Sequence, residues 1–182
     1  RGSEADVLDR YYQAAKEVGA DTVVRITGDC PLIDPELVDS IITKFREVDV
    51  DYVSNTLQPT YPDGLDTEVF AFKALEVAWE HAKTPMQREH VTPFIKESKQ
   101  FSRLNYISDL DYSAERWTVD EPEDVTLVNN ICEHFYPSLV FGWREILALC
   151  DKHPEWTMIN KHLIRNEGAQ LGRGQKLWKR AK

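Results

Sequence analysis

The sequence contains few cysteines, no long apolar run and a shortage of positive charge. Three cysteines occur in 182 residues, at Cys30, Cys132 and Cys150. Their odd number and the absence of CxxC spacing argue against a disulfide framework and against a thiolate zinc site. No stretch approaches the ~18 apolar residues of a membrane span, and no apolar signal segment opens the chain. We therefore expect a cytoplasmic protein that makes no membrane contact.

The charge distribution is uneven. Twenty-two Lys and Arg stand against 31 Asp and Glu, for a net charge of −9. This balance excludes a general nucleic-acid binder, which needs a basic face. Residues 161–182 nevertheless carry a net charge of +6, which leaves −15 on the first 160 residues. At 42% hydrophobic residues, the chain has enough apolar material for one packed domain, which excludes a disordered tail.

Hydrophobic periodicity and breaker residues predict alternating helices and strands. The predicted helices cover 4–18, 35–47, 72–82, 85–97, 122–135 and 143–151, and the predicted strands cover 21–27, 51–54, 68–70, 101–107 and 116–119. Ser3 and Asp6 resemble a capping pair for the first helix, and Pro93 kinks helix 85–97 or restarts it with Thr92 as cap. The β-branched run 21–27 does not alternate, which is typical of a strand buried on both faces. The pattern predicts an α/β domain with a largely parallel sheet.

Two predicted strands end in a carboxylate that precedes a helix start. Asp29 follows strand 21–27, and Asp120 follows strand 116–119. Ligands of open α/β sheets bind beyond the carboxyl ends of the strands, and Mg²⁺ is usually held by one or two carboxylates together with substrate phosphates. Spacing alone leaves a second interpretation open, in which Asp29 forms a turn and Asp120 caps a helix.

Several segments resemble one enzyme family. Val24-Arg-Ile-Thr-Gly-Asp-Cys-Pro-Leu-Ile-Asp34 is similar to the signature of sugar cytidylyltransferases, in the branch of the spore coat polysaccharide biosynthesis protein F, which is related to the acylneuraminate and Kdo cytidylyltransferases. The resemblance continues, in the same order along the chain, through 6–12, 61–70, 88–94, 117–124, 159–162 and 165–168. Ordered blocks over most of the chain are more specific than any single motif.

The resemblance implies a fold and a reaction. The fold is that of the nucleotide-diphospho-sugar transferases, a Rossmann-like, mostly parallel sheet flanked by helices. The reaction is a Mg²⁺-dependent transfer of CMP from CTP to a sugar, with release of pyrophosphate. The sugar would be nonulosonate-like or another surface-polysaccharide precursor of the spore coat or cell envelope. Asp29 and Asp120 match the catalytic metal ligands. The chain departs from the family at Glu121, where related enzymes often have a Thr that caps the next helix better.

The same blocks contain six substrate-binding candidates: Arg25, Asp66, Glu68, Arg88, Glu89 and His90. An unpaired Arg25 in a buried strand would be costly, so it pairs with a carboxylate or meets a ligand. Asp66 and Glu68 follow a loop that contains Pro59, Pro62 and Gly64. They accept hydrogen bonds from sugar or ribose hydroxyls, or they stabilise that loop. Arg88 suits an anionic substrate at a helix start, and the alternative is a surface ion pair beside a satisfied histidine.

The resemblance also predicts how the chain divides. Residues 1–168 match a cytidylyltransferase-like domain without its N-terminal strand and phosphate loop, which would lie about 60 residues upstream of Arg1. The fragment alone is therefore predicted to be inactive with CTP. Residues 169–182 are predicted to be a linker and the start of a following domain, because 174–182 resembles the opening helix of class III aminotransferases of the glutamate-1-semialdehyde type. The alternative is a basic solvated helix. A homodimer is expected from the resemblance only.

Two other functions remain open. Asp49-Val-Asp51 and Asp109-Leu-Asp111 match the DxD metal motif of glycosyltransferases that consume nucleotide-sugars, although solvated loop acids explain them more simply. A domain without a phosphate loop would also suit a non-catalytic scaffold in a polysaccharide pathway. Cys30, which no histidine motif accompanies, is best explained as a small buried filler.

Overall fold

The computed structural model describes residues 2–165, which form eight helices and four strands. The helices are α1 Val7–Glu17, α2 Pro35–Glu47, α3 Phe72–His81, α4 Pro85–His90, α5 Pro93–Glu97, α6 Pro122–Phe135, α7 Trp143–Lys152 and α8 Pro154–Thr157. The strands are β1 Thr22–Arg25, β2 Tyr52–Ser54, β3 Glu68–Ala71 and β4 Arg103–Asn105. The predicted tail domain at 169–182 lies outside the described residues.

Local signals placed most helix boundaries correctly. Helices 35–47 and 122–135 begin at a proline, as expected, because the missing N–H of proline costs nothing in the first turn. Helix 85–97 divides into α4 and α5 around Pro93, as the proline predicted. The first helix begins later than predicted, because the Asp6 carboxylate accepts the Asp9 N–H at 3.0 Å and so caps it alone.

The four strands form one mixed sheet in the order β1-β3-β2-β4. The fold class is confirmed, with one correction to the largely parallel sheet. β1, β2 and β4 run in one direction, whereas β3 lies between β1 and β2 and is antiparallel to both. The reason is that the connection from β2 to β3 contains no helix, so the chain returns without the crossover that a parallel pair requires.

Two hydrophobic cores lie on opposite faces of the sheet. One contains Val53 and Val69 with side chains from α2, α6 and α7, and the other contains Tyr52 and Phe70 with side chains from α1, α3 and α5. Neighbouring strand residues enter different cores because side chains alternate across a sheet. The central strands are thus buried on both faces.

β1 does not have the double burial predicted for 21–27. Its residues alternate between exposed and half-buried, because β1 forms an edge of the described sheet. An open apolar groove runs beside it, between β1 and α1. The predicted strand 116–119 is also corrected: it makes only an isolated bridge, from Arg116 to Asp63.

All three cysteines are free, as expected. Cys30 is a buried filler, and burial raises the pKa of its thiol to about 12. Within residues 2–165, no helix has both the length and the apolar character needed to cross a bilayer.

Candidate active site

The structure brings together the two loops that carry the predicted metal ligands. The Val119 N–H donates to the Asp29 carbonyl at 2.8 Å, and the Thr118 hydroxyl donates to the same oxygen at 3.1 Å. Both carboxylates, of Asp29 and Asp120, belong to exposed residues. Asp29 therefore lies in the turn after β1, beside the loop that leads to Asp120, although 91 positions separate the two residues in the sequence.

Arg116 orients the Asp120 carboxylate. Its Nη2 donates to Asp120 Oδ2 at 3.0 Å and to Asp124 Oδ2 at 2.8 Å, and its Nε donates to Asp124 Oδ1 at 2.9 Å. The same Asp124 carboxylate accepts the backbone N–H of Asp120 and of Glu121 at 3.0 Å each. The start of α6 is thus secured by Asp124, which offsets the weak cap expected from Glu121.

Asn160 completes this network from the far end of the chain. Its amide donates to Asp124 Oδ1 at 2.8 Å and to the Arg116 carbonyl at 2.9 Å. Burial raises the pKa of Asp124, but the hydrogen bonds from Arg116 and Asn160 outweigh it and hold the pKa at about 2. The pKa of Arg116 is raised, chiefly by its hydrogen bonds to Asp124. Sequence reasoning missed Asn160 as a site residue, although it lies in the block 159–162.

A second network lies in the loop before β3. Arg165 forms an ion pair with Asp66, donates to the Tyr61 carbonyl at 3.1 Å, and lies 3.5 Å from Asp63. Burial raises the pKa of Asp63 to about 6, although the charges of Arg165 and Arg116 act in the opposite direction. Asp66 is thus one member of a carboxylate pair that two arginines hold. Asp63 and Arg165 were not selected from the sequence, and their position in the family blocks was the available signal.

Glu68 is a fully occupied buried carboxylate. Its Oε1 accepts from the Tyr52 hydroxyl at 2.6 Å and the Thr92 hydroxyl at 2.7 Å, and Lys96 Nζ lies 2.6 Å from the same oxygen. Arg25 forms an ion pair with its Oε2. Burial raises the pKa of Glu68, but the charges of Lys96 and Arg25 outweigh it and hold the pKa at about 2. Arg25 therefore pairs with a carboxylate, one of the two alternatives that the sequence left open, and a direct bond from Glu68 to a substrate hydroxyl stays a prediction.

Arg88, the first of the three substrate-binding candidates in α4, forms an ion pair with Asp6. Arg88 donates to both oxygens of the Asp6 carboxylate, at distances of 2.6 to 3.0 Å, and to the Trp79 carbonyl at 2.7 Å. This guanidinium therefore ties α4 to the start of α1. Glu89 and His90 are half-buried in the last turn of α4. A role for these three residues in substrate binding stays a prediction.

Three of the four acids in the two DxD motifs accept hydrogen bonds from serines. Asp51 accepts from the backbone N–H and the hydroxyl of Ser102 at 2.8 Å each. Asp109 accepts from Ser108 at 3.0 Å, and Asp111 accepts from the Ser113 N–H at 2.9 Å. These bonds agree with the interpretation of both motifs as loop acids.

The residues present fit a Mg²⁺ ion only if a substrate supplies further ligands. Among residues 2–165, no three His, Cys, Asp or Glu side chains are grouped closely enough to hold a metal ion on their own. Asp29 and Asp120 supply exposed carboxylate oxygens from adjoining loops, the hard donors that Mg²⁺ prefers, and substrate phosphates usually complete such a site. The donor set therefore fits a cation that arrives with a nucleotide.

Comparison with known proteins decides the family. The family model "Cytidylyltransferase" matches residues 1–130. The chain belongs to the cytidylyltransferase family. A cytidylyltransferase from Leptospira borgpetersenii serovar Hardjo-bovis has a similar structure, with a TM-score of 0.82 and 32% sequence identity over 86% of this chain and 67% of the other.

Two curated relatives of this cytidylyltransferase-family chain share most of its length. Uncharacterized protein MJ1063 of Methanocaldococcus jannaschii is 40% identical over 166 residues, 90% of this chain and 67% of the relative. The spore coat polysaccharide biosynthesis protein SpsF of Bacillus subtilis is 27% identical over 159 residues, 85% of this chain and 65% of the relative. The chain thus spans about two thirds of the length of each relative.

Proposed function

We propose that this chain carries the metal-binding edge of an enzyme that transfers CMP from CTP to a sugar and releases pyrophosphate. The observation that carries the proposal is the contact between the two carboxylate loops, where the Val119 N–H donates to the Asp29 carbonyl. Membership of the cytidylyltransferase family supports the reaction class. The relationship to a spore coat polysaccharide protein supports a surface-polysaccharide sugar as the acceptor.

The reaction requires positioning and charge neutralisation more than covalent help. A sugar hydroxyl oxygen forms a bond to the α-phosphorus of CTP, the bond from that phosphorus to the pyrophosphate oxygen breaks, and the hydroxyl proton is lost to solvent. Mg²⁺, when bound, would neutralise charge on the phosphates. Asp29 and Asp120 would hold it, and Arg116 keeps Asp120 in a fixed orientation, as the outer partners of metal-binding carboxylates commonly do.

The charge of the protein makes a cation at this edge necessary. A chain with a net charge of −9 repels a triphosphate, and the carboxylates of Asp29 and Asp120 add to that repulsion. A divalent cation on Asp29 and Asp120 converts the same edge into an attractive one. A cytoplasmic location, a homodimer and a fused aminotransferase stay predictions.

The test uses the natural protein that contains this chain. Asp29→Asn and Asp120→Asn each remove one carboxylate charge and should lower Mg²⁺-dependent pyrophosphate release from CTP and sugar at least about 100-fold. Binding of Mn²⁺, followed by electron paramagnetic resonance in the presence of CTP, should weaken in the same variants. Asp109→Asn, which removes an exposed DxD acid, is the matched control and should change the rate by less than about twofold. Unchanged pyrophosphate release in both site variants would overturn the proposal.

A further inference from the structure

Two cations converge on one buried carboxylate. Arg25 pairs with Oε2 of Glu68 and Lys96 with Oε1, while the Glu68 side chain is only 2% exposed. One cation would suffice to neutralise this carboxylate. The neighbouring Asp66 pairs with Arg165, which also lies 3.5 Å from Asp63. Together with Asp63, these side chains carry three positive and three negative charges, so the second cation on Glu68 is distinguished by its position and not by a surplus of charge.

Arg25 and Lys96 both have hydrogen-bond donors that their contacts with Glu68 do not use. Arg25 gives one nitrogen, Nη1, to Glu68, and its Nε–H and Nη2 donors have no partner among residues 2–165. Lys96 uses its ammonium on Glu68 and on the Thr56 hydroxyl at 3.2 Å, which leaves a third donor. The side chains of Arg25 and Lys96 are 18% and 30% exposed, so a ligand can reach them.

Arg25 and Lys96 lie where a ligand of this sheet is expected. Arg25 is the last residue of β1, and its register partner Glu68 is in turn paired with Ser54, the last residue of β2. Thr56, which accepts the Lys96 bond, lies two residues beyond the end of β2. This is the carboxyl end of both strands, where open α/β sheets bind their ligands. Asp29 lies four residues beyond Arg25 at the same end.

We propose that Arg25 and Lys96 form a binding site for an anionic oxygen group of the substrate, a carboxylate or a phosphate. The inference deepens the proposed function and rests on it, since the substrate is the one handled at the same edge. The carboxylate of a sugar acid and a phosphate of the nucleotide share this chemistry. Glu68 is the positioning residue, because its two oxygens hold the cations apart and fix their direction.

The experiment is an NMR titration of the 182-residue chain with two probes, glucuronate and inorganic phosphate. Binding should shift the side-chain Nε–H signal of Arg25 in a saturable way. Lys96→Met keeps the aliphatic stem but removes the charge, and it should weaken the binding about tenfold, the effect of losing one charge-assisted hydrogen bond. Lys96→Arg should restore most of the affinity.

Lys99→Met is the matched control, since it removes the same charge from an exposed position just beyond α5. It should leave the affinity within about twofold, because an exposed charge at a distance is screened by salt. Saturation at lower concentration by glucuronate assigns the site to the sugar, and the reverse order assigns it to the nucleotide. If neither probe shifts the Arg25 signal, or if Lys96→Met and Lys99→Met behave alike, the inference is wrong. The wild-type titration decides even where a variant does not fold.

This outcome is independent of the activity test. Absence of pyrophosphate release from the wild-type protein, with intact anion binding, would overturn the proposed reaction alone. Active enzyme without anion binding at Arg25 would overturn the inference alone.

Discussion

Gly64 permits the close approach that brings the loop before β3 to the Arg116 segment. Its φ is +108°, and a Cβ atom built on it would lie 2.6 Å from the Thr118 nitrogen and from the Trp117 carbonyl carbon. Asp63, the residue before it, donates its N–H to the Glu115 carbonyl at 2.9 Å, and its own carbonyl accepts the Trp117 N–H at 2.6 Å. Gly64→Ala should therefore destabilise the protein strongly.

Two contributions set the loss of stability expected for Gly64→Ala. A positive φ costs an L-residue about 1–2 kcal/mol, and +108° lies beyond the left-handed region that such residues tolerate best. Overpacking against a neighbour costs a further ~1–3 kcal/mol, and here the neighbour is backbone, which yields less readily than a flexible side chain. We expect Gly64→Ala to lower the free energy of unfolding by about 2–5 kcal/mol.

Substitutions at Gly19 and Gly28 distinguish the cost of a positive φ from the cost of overpacking. Gly19 has a φ of +64°, but no atom lies within 4 Å of the position that a Cβ would take, so Gly19→Ala should cost about 1 kcal/mol from conformation alone. Gly28 has neither a positive φ nor a close neighbour, and Gly28→Ala should change stability by less than about 0.5 kcal/mol. Urea unfolding followed by tryptophan fluorescence measures all three. A Gly64→Ala variant no less stable than Gly19→Ala would refute the reasoning.

Two further predictions concern the buried carboxylates. The folded-state pKa of Glu68, about 2, is below its ordinary value of 4.5, so its stabilisation is present above pH 4.5 and is lost as the pH falls towards 2. Glu68→Gln should lower stability at pH 7 by roughly 2–3 kcal/mol and flatten the acid limb of a stability–pH profile, and an unchanged limb would contradict the assignment. Asp124→Asn leaves the buried Arg116 without its main partner and should cost about 3–5 kcal/mol in urea unfolding. Glu123→Gln, one residue away in the first turn of α6, should cost less than about 1 kcal/mol, and equal losses in both variants would argue against the network.

Much of the fold and part of the site follow from short-range signals. Pro35 and Pro122 mark helix starts, and the expected approach of Asp29 to the Asp120 loop is observed, although 116–119 makes only an isolated bridge and is not a strand of the sheet. The reversal of β3 was not predictable in this way. A short apolar strand has the same pattern in either direction, and only its neighbours in the sheet reveal which one it takes.

The sequence by itself determined the family, most helix boundaries and the choice of Asp29 and Asp120 as the candidate carboxylates, because each depends on residues close together in the chain. Only the tertiary structure decided which polar and charged side chains pair. Arg88 meets Asp6, 82 residues away, Arg25 meets Glu68, and Asn160 meets Asp124. The physical reason is that an ion pair depends on strand register and helix packing, which bring distant residues within reach and which no local pattern of charge encodes. The pairing of both Arg25 and Lys96 with Glu68 is visible only once that packing is known.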